Sequence, residues 1–399
     1  MEELSKLENS RNARAVMERL NEEASKFHIW LRTQANAPAQ RPWFKVTDLQ
    51  AAGRMAEGRV GAAQIKSVAH RWRWSEISPF LGRIADVAKN ADVPPIEFAD
   101  RQQFLLTNPG LGNRLQIAAT IRCAVSIYNP GDLAPVHLHT PNASRTILSE
   151  FGGYTNVEGE RCEAARGDLI LTPNGCWHDH GNDGAQPVVW VDILDWPLME
   201  FLDCIWLDGD FSEPDGNASV QPTKHPPGYS RSIYGTGGLV PTFVSHRRGI
   251  GHDVTPYIHF RGTDISNALA GLRREKGSPF EGVGLDFVNP VNGSSLFPTL
   301  AYGAQMLRAG EETEYKRETS NTVYIVLEGS GQTEIGGQTF DWERNDIFVA
   351  PNFLWRKHAN AGSKDAILYT ISDRPLMEKI GQYRAQGMWS GGTIEQLFA

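Results

Sequence analysis

The feature that most constrains the fold of this 399-residue chain is an internal repeat. The run GDLILTPNGCWHDH at residues 167–180 aligns with NDIFVAPNFLWRKH at residues 345–358, and the two copies then close on DWPLME and DRPLME. From Trp177 and Trp355 onwards the copies keep a constant offset of 178 residues without a gap. Because agreement of this length is improbable by chance, we predict two copies of one domain.

Both copies have the sequence pattern of an all-β barrel. Short apolar runs alternate with Gly, Pro, Asn and Asp turns, in one block from about Gln103 to Trp206 and in a second from about Leu296 to Pro375. A stretch rich in Pro, Gly and Ser at residues 207–238 indicates a linker. The predicted order is an N-terminal helical region at 1–100, a first barrel at 101–206, a linker and connecting segment at 207–295, and a second barrel with a C-terminal helix at 296–399.

The N-terminal region carries helical rather than strand-like patterns. Apolar residues recur at helical spacing from Val16 through Leu20 and Ala24 to Leu31. Ser78 followed by Pro79 predicts the start of a second helix. We expect these helices to cap a barrel mouth or to pack on a neighbouring subunit.

Composition excludes several classes of function. The formal charge is −8 and basic residues form no long run, which argues against a nucleic-acid partner. No run of 18 apolar residues predicts a membrane span, and the acidic, polar first ten residues lack the apolar segment of a signal peptide, so a cytoplasmic protein is expected. The four scattered cysteines form no CxxC pair and are expected to be buried free thiols.

Three histidines of the first copy form a candidate metal site. His137 and His139 are two residues apart, so on a β-strand their imidazoles point to the same face. His178 lies in the repeated segment, where a neighbouring strand brings it to the same place. The alternative is that these histidines are surface or core residues that bind nothing.

The repeat fails at these three positions. His137, His139 and His178 align with Lys316, Glu318 and Arg356 in the second copy. Lysine and arginine carry protons at neutral pH and are not ordinary metal ligands. We therefore predict a metal centre in the first barrel only, with the second barrel in a structural role.

Both histidine-containing motifs resemble those of the cupin superfamily: Gly131, five intervening residues and an HxH pair, then Gly167, five intervening residues and PxGxxHxxxN. The resemblance implies a mainly β bicupin, with two double-stranded β-helix (jelly-roll) barrels and an N-terminal helical extension. Many cupins place a glutamate ligand shortly after the HxH pair, but Ala143 and Ser144 stand there. A set of three imidazoles suits Fe(II), Zn, Cu or Ni, and open coordination positions favour redox chemistry on a chelating substrate.

A narrower resemblance rests on the strings NPGL from Asn108, HLHTPNASR from His137, WHDHGN from Trp177 and WVDILD from Trp190. They are similar to the gentisate and salicylate 1,2-dioxygenases, a family that includes 1-hydroxy-2-naphthoate dioxygenase. The resemblance implies one Fe(II) in the first barrel, O2 as co-substrate and a homotetramer. It also implies cleavage of an ortho-hydroxy aromatic acid between its carboxyl-bearing and hydroxyl-bearing carbons.

The same resemblance assigns roles by position. It implies iron ligands at His137, His139 and His178, and substrate-carboxylate binding by Arg145, with a second arginine at Arg101. A pocket hydrogen-bonding residue falls on His180, where it could share the phenolic proton, and Asp192 is expected to fix the tautomer of a histidine. For each of Arg145, Arg101, His180 and Asp192, an ordinary structural role is the alternative.

Two positions depart from the family pattern. The family's aromatic residue, Tyr or Trp, falls on Arg122, and a Gln four residues later falls on Ser126. A positive charge in place of a ring-stacking wall argues against gentisate as the main substrate. We expect a substituted salicylate whose extra polar or anionic group meets Arg122, unless that side chain turns out of the pocket.

Two other functions remain open at the level of sequence. One is another metal-dependent cupin enzyme, such as an isomerase or decarboxylase, against which the absent glutamate and the extended family strings count. The other is a non-catalytic ligand-binding bicupin, against which the intact histidine set of the first copy counts.

Overall fold

The computed structural model describes residues 2–31, 66–90, 102–112, 114–208, 226–235, 239 and 254–398. The helices in these ranges are α1 Glu2–Ser25, α2 Trp74–Asn90, α3 Trp196–Phe201, α4 Tyr229–Tyr234, α5 Gly262–Leu272 and α6 Arg374–Lys379. None of the helices so described is both long and apolar enough to cross a membrane.

The first barrel consists of two antiparallel sheets. Their strands are β1 Ile29–Leu31, β3 Gln103–Leu106, β4 Arg122–Tyr128, β5 Leu133–His139, β6 Ala143–Ile147, β7 Phe151–Val157, β8 Glu160–Ala165, β9 Leu169–Thr172, β10 His178–Gly181, β11 Val188–Leu194, β12 Leu207–Asp208 and β13 His259–Phe260. One sheet has the order β1-β3-β4-β11-β6-β9-β13 and the other β12-β5-β10-β7-β8.

The second barrel repeats this plan. Its strands are β2 His70–Trp72, β14 Val283–Phe287, β15 Ala301–Leu307, β16 Tyr315–Glu318, β17 Thr322–Glu328, β18 Ser330–Ile335, β19 Gln338–Glu343, β20 Ile347–Ala350, β21 Arg356–Ala359, β22 Ala366–Ser372, β23 Ala385–Met388 and β24 Ile394–Phe398. The sheet orders are β14-β15-β22-β17-β20-β2 and β19-β18-β21-β16-β23-β24. The predicted bicupin architecture is confirmed.

Repeated turns place the repeated strands. Gly131 and Gly310 both adopt positive φ, +87° and +75°, at the turn before the strand that carries the HxH pair or its counterpart. At the next repeated turn Gly167 has φ +78° and its counterpart Asn345 has φ +71°. Gly and Asn are the residues that adopt this left-handed conformation at low energetic cost. The two copies therefore form the same turn with different residues.

Strand alternation divides the residues of the first barrel between two environments. On β4, Cys123, Val125 and Ile127 point to one face and belong to the buried apolar core. Ser126 points to the opposite face, where it meets a carboxylate of β11. The apolar face supports the barrel from outside, and the polar face lines its interior.

The N-terminal region contributes to both barrels. β1 pairs with β3 of the first barrel, and β2 pairs with β20 of the second. The second helix begins at Trp74, five residues before the predicted first helical residue Pro79, because the Trp74 backbone N–H donates to Asp346 Oδ1 at 2.7 Å. This acceptor lies in the second barrel, so a local pattern around Ser78 and Pro79 could not show it.

Several elements lie where the domain prediction placed a linker or a helical end. β12 and β13 belong to the first barrel and β14 to the second, although all three lie within residues 207–295. The six-residue α6 is followed by β23 and β24, so the chain ends in strands rather than in the predicted C-terminal helix.

Three cysteines are buried free thiols as predicted, whereas Cys204 is exposed.

Two buried aspartates connect the barrels reciprocally. Asp195, which follows β11, accepts from the Asn142 backbone N–H at 2.8 Å and from Thr299 Oγ1 at 2.5 Å, and Thr299 lies just before the second barrel's β15. Asp373, its counterpart, accepts from Asn321 N–H at 2.7 Å and from Thr120 Oγ1 at 2.6 Å, just before β4. Burial raises the pKa of Asp195 to about 6, so each hydrogen bond to this carboxylate matters.

Removing these threonine hydroxyls should weaken the connection between the barrels. We expect Thr299→Val and Thr120→Val each to lower the free energy of unfolding by about 1–3 kcal/mol, because a buried carboxylate loses a donor. The double variant should be roughly additive, since the two contacts are separate. Urea denaturation followed by fluorescence measures the effect, with the exposed Thr339→Val as matched control. Equal denaturation midpoints for the Thr299 variant and this control would contradict the assignment.

Candidate metal centre

The three predicted ligands converge inside the first barrel. His137 and His139 lie on β5, and His178 lies on β10 directly opposite His137 in the antiparallel register. All three side chains are buried, and each offers a ligand atom within 4.8 Å of the other two. The cross-strand pair supplies two corners of a triangle, and the same-face neighbour on β5 supplies the third.

Backbone carbonyls fix how each imidazole is presented. Nδ1 of His137 lies 2.7 Å from the Pro135 carbonyl oxygen, Nδ1 of His139 lies 2.8 Å from that of Pro141, and Nδ1 of His178 lies 2.8 Å from that of Cys176. A carbonyl only accepts, so each Nδ1 carries the proton and each Nε2 carries the lone pair. This arrangement orients imidazoles as metal ligands.

His178 shows most directly that the site fits a metal ion. Its Nε2 is buried and has no hydrogen-bond partner. Burial lowers the pKa of His178 well below its ordinary value, and the adjacent His137 and His139 lower it further. A neutral imidazole with an unpartnered, buried lone pair is the state that coordinates a cation.

Arg145 lies beside the centre on β6. Its side chain is only 4% exposed. One terminal nitrogen, Nη2, lies 2.6 Å from His180 Nε2, and Nη1 lies 3.4 Å from Thr172 Oγ1. The structure therefore joins two of the predicted site residues, because His180 Nε2 accepts from Arg145 while His180 Nδ1 faces Thr155 Oγ1 at 3.2 Å.

Asp192 forms an ion pair with this arginine. Its Oδ1 lies 3.2 Å from Arg145 Nε, and both side chains are almost fully buried. The two residues stand opposite each other on the neighbouring strands β11 and β6, so cross-strand pairing of opposite charges explains the contact. Backbone carbonyls face Nδ1 of the three metal ligands and Thr155 faces Nδ1 of His180, and the role of Asp192 in fixing a histidine tautomer stays a prediction.

Three donors converge on the other oxygen of this carboxylate. Asp192 Oδ2 accepts from Ser126 Oγ at 2.5 Å, from Gln103 Nε2 at 3.1 Å and from Trp190 Nε1 at 3.1 Å. Ser126 was singled out from the sequence, whereas Gln103 and Trp190 were not. Trp190 lies within the WVDILD string. For Gln103 the sequence gives only a weak signal, a polar residue at the start of an apolar strand.

The remaining predicted residues lie at different places. Arg122 is half-buried on the same face of β4 as Ser126, with its guanidinium 4.5 Å from the ring centre of Trp196 and its Nε 3.3 Å from the Leu115 carbonyl oxygen. It therefore already stacks on an aromatic ring at the end of the strand. Arg101 lies outside the described residues.

An ion cluster occupies the equivalent place in the second barrel. Lys316 stands opposite Arg356 in the register, as His137 stands opposite His178. The Glu318 carboxylate contacts Arg356 and lies 3.7 Å from Lys316 Nζ. Although burial alone raises the pKa of Glu318, the two cations bring it well below its usual range, so the cluster is a network of opposite charges rather than a ligand set.

Comparisons with known proteins agree with this geometry. A family model described as a cupin domain matches residues 124–194 and 304–372, one segment in each barrel. The chain is 35% identical over 329 residues to a 5-aminosalicylate 1,2-dioxygenase of Comamonas sp, spanning 80% of this chain and 82% of that protein. It is 32% identical over 315 residues to gentisate 1,2 dioxygenase 1 of Aquipseudomonas alcaligenes, spanning 79% and 86%. The crystal structure of a salicylate 1,2-dioxygenase from Pseudaminobacter salicylatoxidans matches with a TM-score of 0.68 and 28% identity over 85% and 98% of the two chains.

Replacing a ligand should abolish metal retention without a general loss of fold. We expect His178→Gln to weaken metal binding at least about 100-fold. Loss of a hydrogen-bond partner that orients a ligand already lowers metal affinity by up to about 100-fold, and loss of the ligand itself should lower it at least as much. Metal content after dialysis against a graded chelator, measured by plasma mass spectrometry, checks this. The matched control is His358→Gln, a buried histidine at the equivalent of His180 in the second barrel, whose Nδ1 faces Thr333. Equal metal retention in both variants would place the metal elsewhere.

Proposed function

Because the chain belongs to the gentisate and salicylate 1,2-dioxygenase family, we propose that it is an Fe(II)-dependent, ring-cleaving dioxygenase for a substituted salicylate. One observation carries the proposal: three imidazoles whose Nε2 atoms converge inside a barrel, beside a buried arginine suited to a carboxylate. The proposed reaction breaks the ring bond between the carboxyl-bearing and hydroxyl-bearing carbons and places both atoms of O2 in the product.

Fe(II) is the proposed metal. His137, His139 and His178 would hold it through Nε2, and no carboxylate belongs to the candidate metal group found in the described part of the chain. A set of neutral imidazoles is compatible with Fe(II), and family membership selects it from Zn, Cu and Ni. When bound, Fe(II) supplies the redox chemistry by which O2 reacts with an aromatic ring.

Arg145 is the proposed carboxylate-binding residue. The guanidinium is buried, and its two terminal nitrogens contact His180 and Thr172 beside the metal-ligand group. The ion pair with Asp192 holds the Nε side of the guanidinium towards β11. A planar guanidinium fixed in this way is suited to recognise a carboxylate by bidentate hydrogen bonding.

His180 is the proposed residue for the phenolic proton. Its Nδ1 faces Thr155 Oγ1, and its Nε2 accepts from Arg145. When an Arg145 N–H turns to the substrate carboxylate, the Nε2 lone pair can accept the hydroxyl proton of the same substrate. The ring centre of His180 lies 5.2 Å from that of His178, which keeps this exchange next to the metal ligands.

Arg122 is the proposed determinant of substrate choice. Arg122 opens β4 on the same face as Ser126, and its guanidinium stacks on Trp196, so the proposal is that this positive charge meets a polar or anionic ring substituent. Ser126 contributes indirectly, through its hydrogen bond to Asp192.

Arg101 is proposed as a second carboxylate-binding residue on the family resemblance alone. The family resemblance also supports a homotetramer.

Oxygen uptake provides the primary test. We expect the protein, reconstituted anaerobically with Fe(II), to consume O2 with at least one member of a panel of nitro-, halo-, amino- and hydroxy-salicylates, with one O2 per ring cleaved. An oxygen electrode and mass spectrometry of the product measure this, and the His178→Gln variant loaded in the same way is the control. Reconstitution with Zn instead of Fe(II) should give no uptake, because Zn has no redox chemistry. Absence of uptake with every ortho-hydroxy acid would refute the dioxygenase proposal.

Exchanging Arg122 should alter substrate preference. We expect Arg122→Tyr to lower kcat/KM for salicylates with an anionic or strongly polar substituent by about tenfold relative to unsubstituted salicylate, which corresponds to about 1.4 kcal/mol of lost interaction. Steady-state kinetics across the panel measure the ranking. Arg317→Tyr is a matched control, because Arg317 also stacks on aromatic rings, those of Phe353 and Trp355 in the second barrel. An unchanged ranking in the Arg122 variant would show that this residue does not face the substrate.

A further inference from the structure

The carboxylate of Asp192 divides its two oxygens between two tasks. Oδ1 faces Arg145 Nε at 3.2 Å, while Oδ2 receives hydrogen bonds from Gln103, Ser126 and Trp190. Three donors on one oxygen fix the rotation of the carboxylate about its bond to the chain. These three donors therefore also determine where Oδ1 lies, and with it the direction of the ion pair to Arg145.

The donors follow the order of the sheet. β3, β4, β11 and β6 are consecutive neighbours and contribute Gln103, Ser126, Asp192 and Arg145 in turn. Gln103 stands opposite Ser126, and Asp192 stands opposite Arg145. Hydrogen bonds from Gln103 and Ser126 thus converge on Asp192, and the ion pair of Asp192 with Arg145 connects them to the guanidinium.

Gln103 lies on β3, the outermost of these four strands. On its other edge β3 pairs with β1 of the N-terminal region, where Leu31 stands opposite Phe104 and Ile29 opposite Leu106. The Thr107 N–H and hydroxyl both donate to the His28 carbonyl oxygen at 2.9 Å, just beyond the end of β3. The strand that carries Gln103 is therefore paired along both of its edges.

We propose that Gln103 is a positioning residue for recognition of the substrate carboxylate, acting through Asp192 on Arg145. The inference rests on the proposed function, because it assigns to Arg145 the task of binding a carboxylate. A planar guanidinium binds a carboxylate well only in a narrow range of orientations. Loss of the Gln103 donor removes one of the three hydrogen bonds that hold Oδ2, so the carboxylate of Asp192 can rotate and the fork of Arg145 shifts from its best alignment.

The proposal predicts an effect confined to ligands with a carboxylate. Salicylate and 2-hydroxybenzamide share the ring and the hydroxyl group, but only salicylate presents an anionic carboxylate. We expect Gln103→Leu to weaken salicylate binding about tenfold, the size of effect seen when a hydrogen bond to a charged group is lost, and to leave 2-hydroxybenzamide binding within about twofold. Calorimetric titration of the Fe(II)-loaded protein under anaerobic conditions measures both, without turnover.

A double-mutant cycle with Arg145→Met tests the route of the effect. If Gln103 acts through Arg145, Gln103→Leu should have little further effect on salicylate affinity in the Arg145→Met background. Equal weakening in both backgrounds, or equal weakening of both ligands, would overturn the proposal in favour of a purely structural role. A wild-type protein that fails to bind salicylate would overturn the proposed function and the inference with it, whereas wild-type binding with an additive cycle overturns the inference alone.

An exchange variant guards against simple loss of stability. Gln103 and Ser126 face each other in register, so Gln103→Ser combined with Ser126→Gln moves the amide to the adjacent strand while keeping both donors. We expect this double variant to recover most of the salicylate affinity lost in Gln103→Leu, with a thermal midpoint close to wild type. Salicylate affinity as low as in Gln103→Leu, in an exchange variant that is folded, would show that an amide donor to Asp192 is not what positions Arg145.

Discussion

The register between two antiparallel strands decides what each barrel can do. In the first barrel it sets His178 opposite His137, and in the second it sets Arg356 opposite Lys316. The backbone pairing is the same, and side chains at opposite positions of such a pair must interact. Three imidazoles at this place form a candidate ligand set, whereas two cations there require an anion between them, which Glu318 supplies.

The two interiors diverge further along the same strands. Asp192 stands opposite Arg145 in the first barrel, and the equivalent pair in the second is Thr370 opposite Tyr324. The Tyr324 ring stacks on Phe348 at a centroid distance of 4.6 Å, and the Trp342 ring lies nearly parallel to Phe348 at a centroid distance of 6.4 Å. Aromatic side chains thus fill the second barrel at the place where the first barrel has polar side chains. Such close packing is expected of a structural domain rather than of a reaction site.

Sequence alone predicted the parts of the structure that depend on local spacing. The repeat, the turn glycines and the three converging histidines follow from residue types at fixed intervals, and the structure has them together. It did not predict the start of α2, because Asp346 supplies the hydrogen bond from the second barrel. Nor did it find Gln103, or the partner of Asp192, because strand order rather than sequence distance brings these side chains together. These errors concern long-range partners, whereas the predicted C-terminal helix, which is β23 and β24 in the structure, is an error of local conformation.

The distribution of the N-terminal strands has a consequence for the order in which the molecule assembles on the ribosome. β2 leaves the ribosome early, yet its partner β20 lies near the far end of the chain, with His70 opposite Val349. At a synthesis rate of about 5–20 residues per second, β2 waits for tens of seconds before its partner exists. Its closure is a contact of very high sequence separation, which slows folding. β2, made early, can therefore join its sheet only after most of the chain has been synthesised, and its pairing then ties the second barrel to the N-terminal region whose β1 pairs with the first.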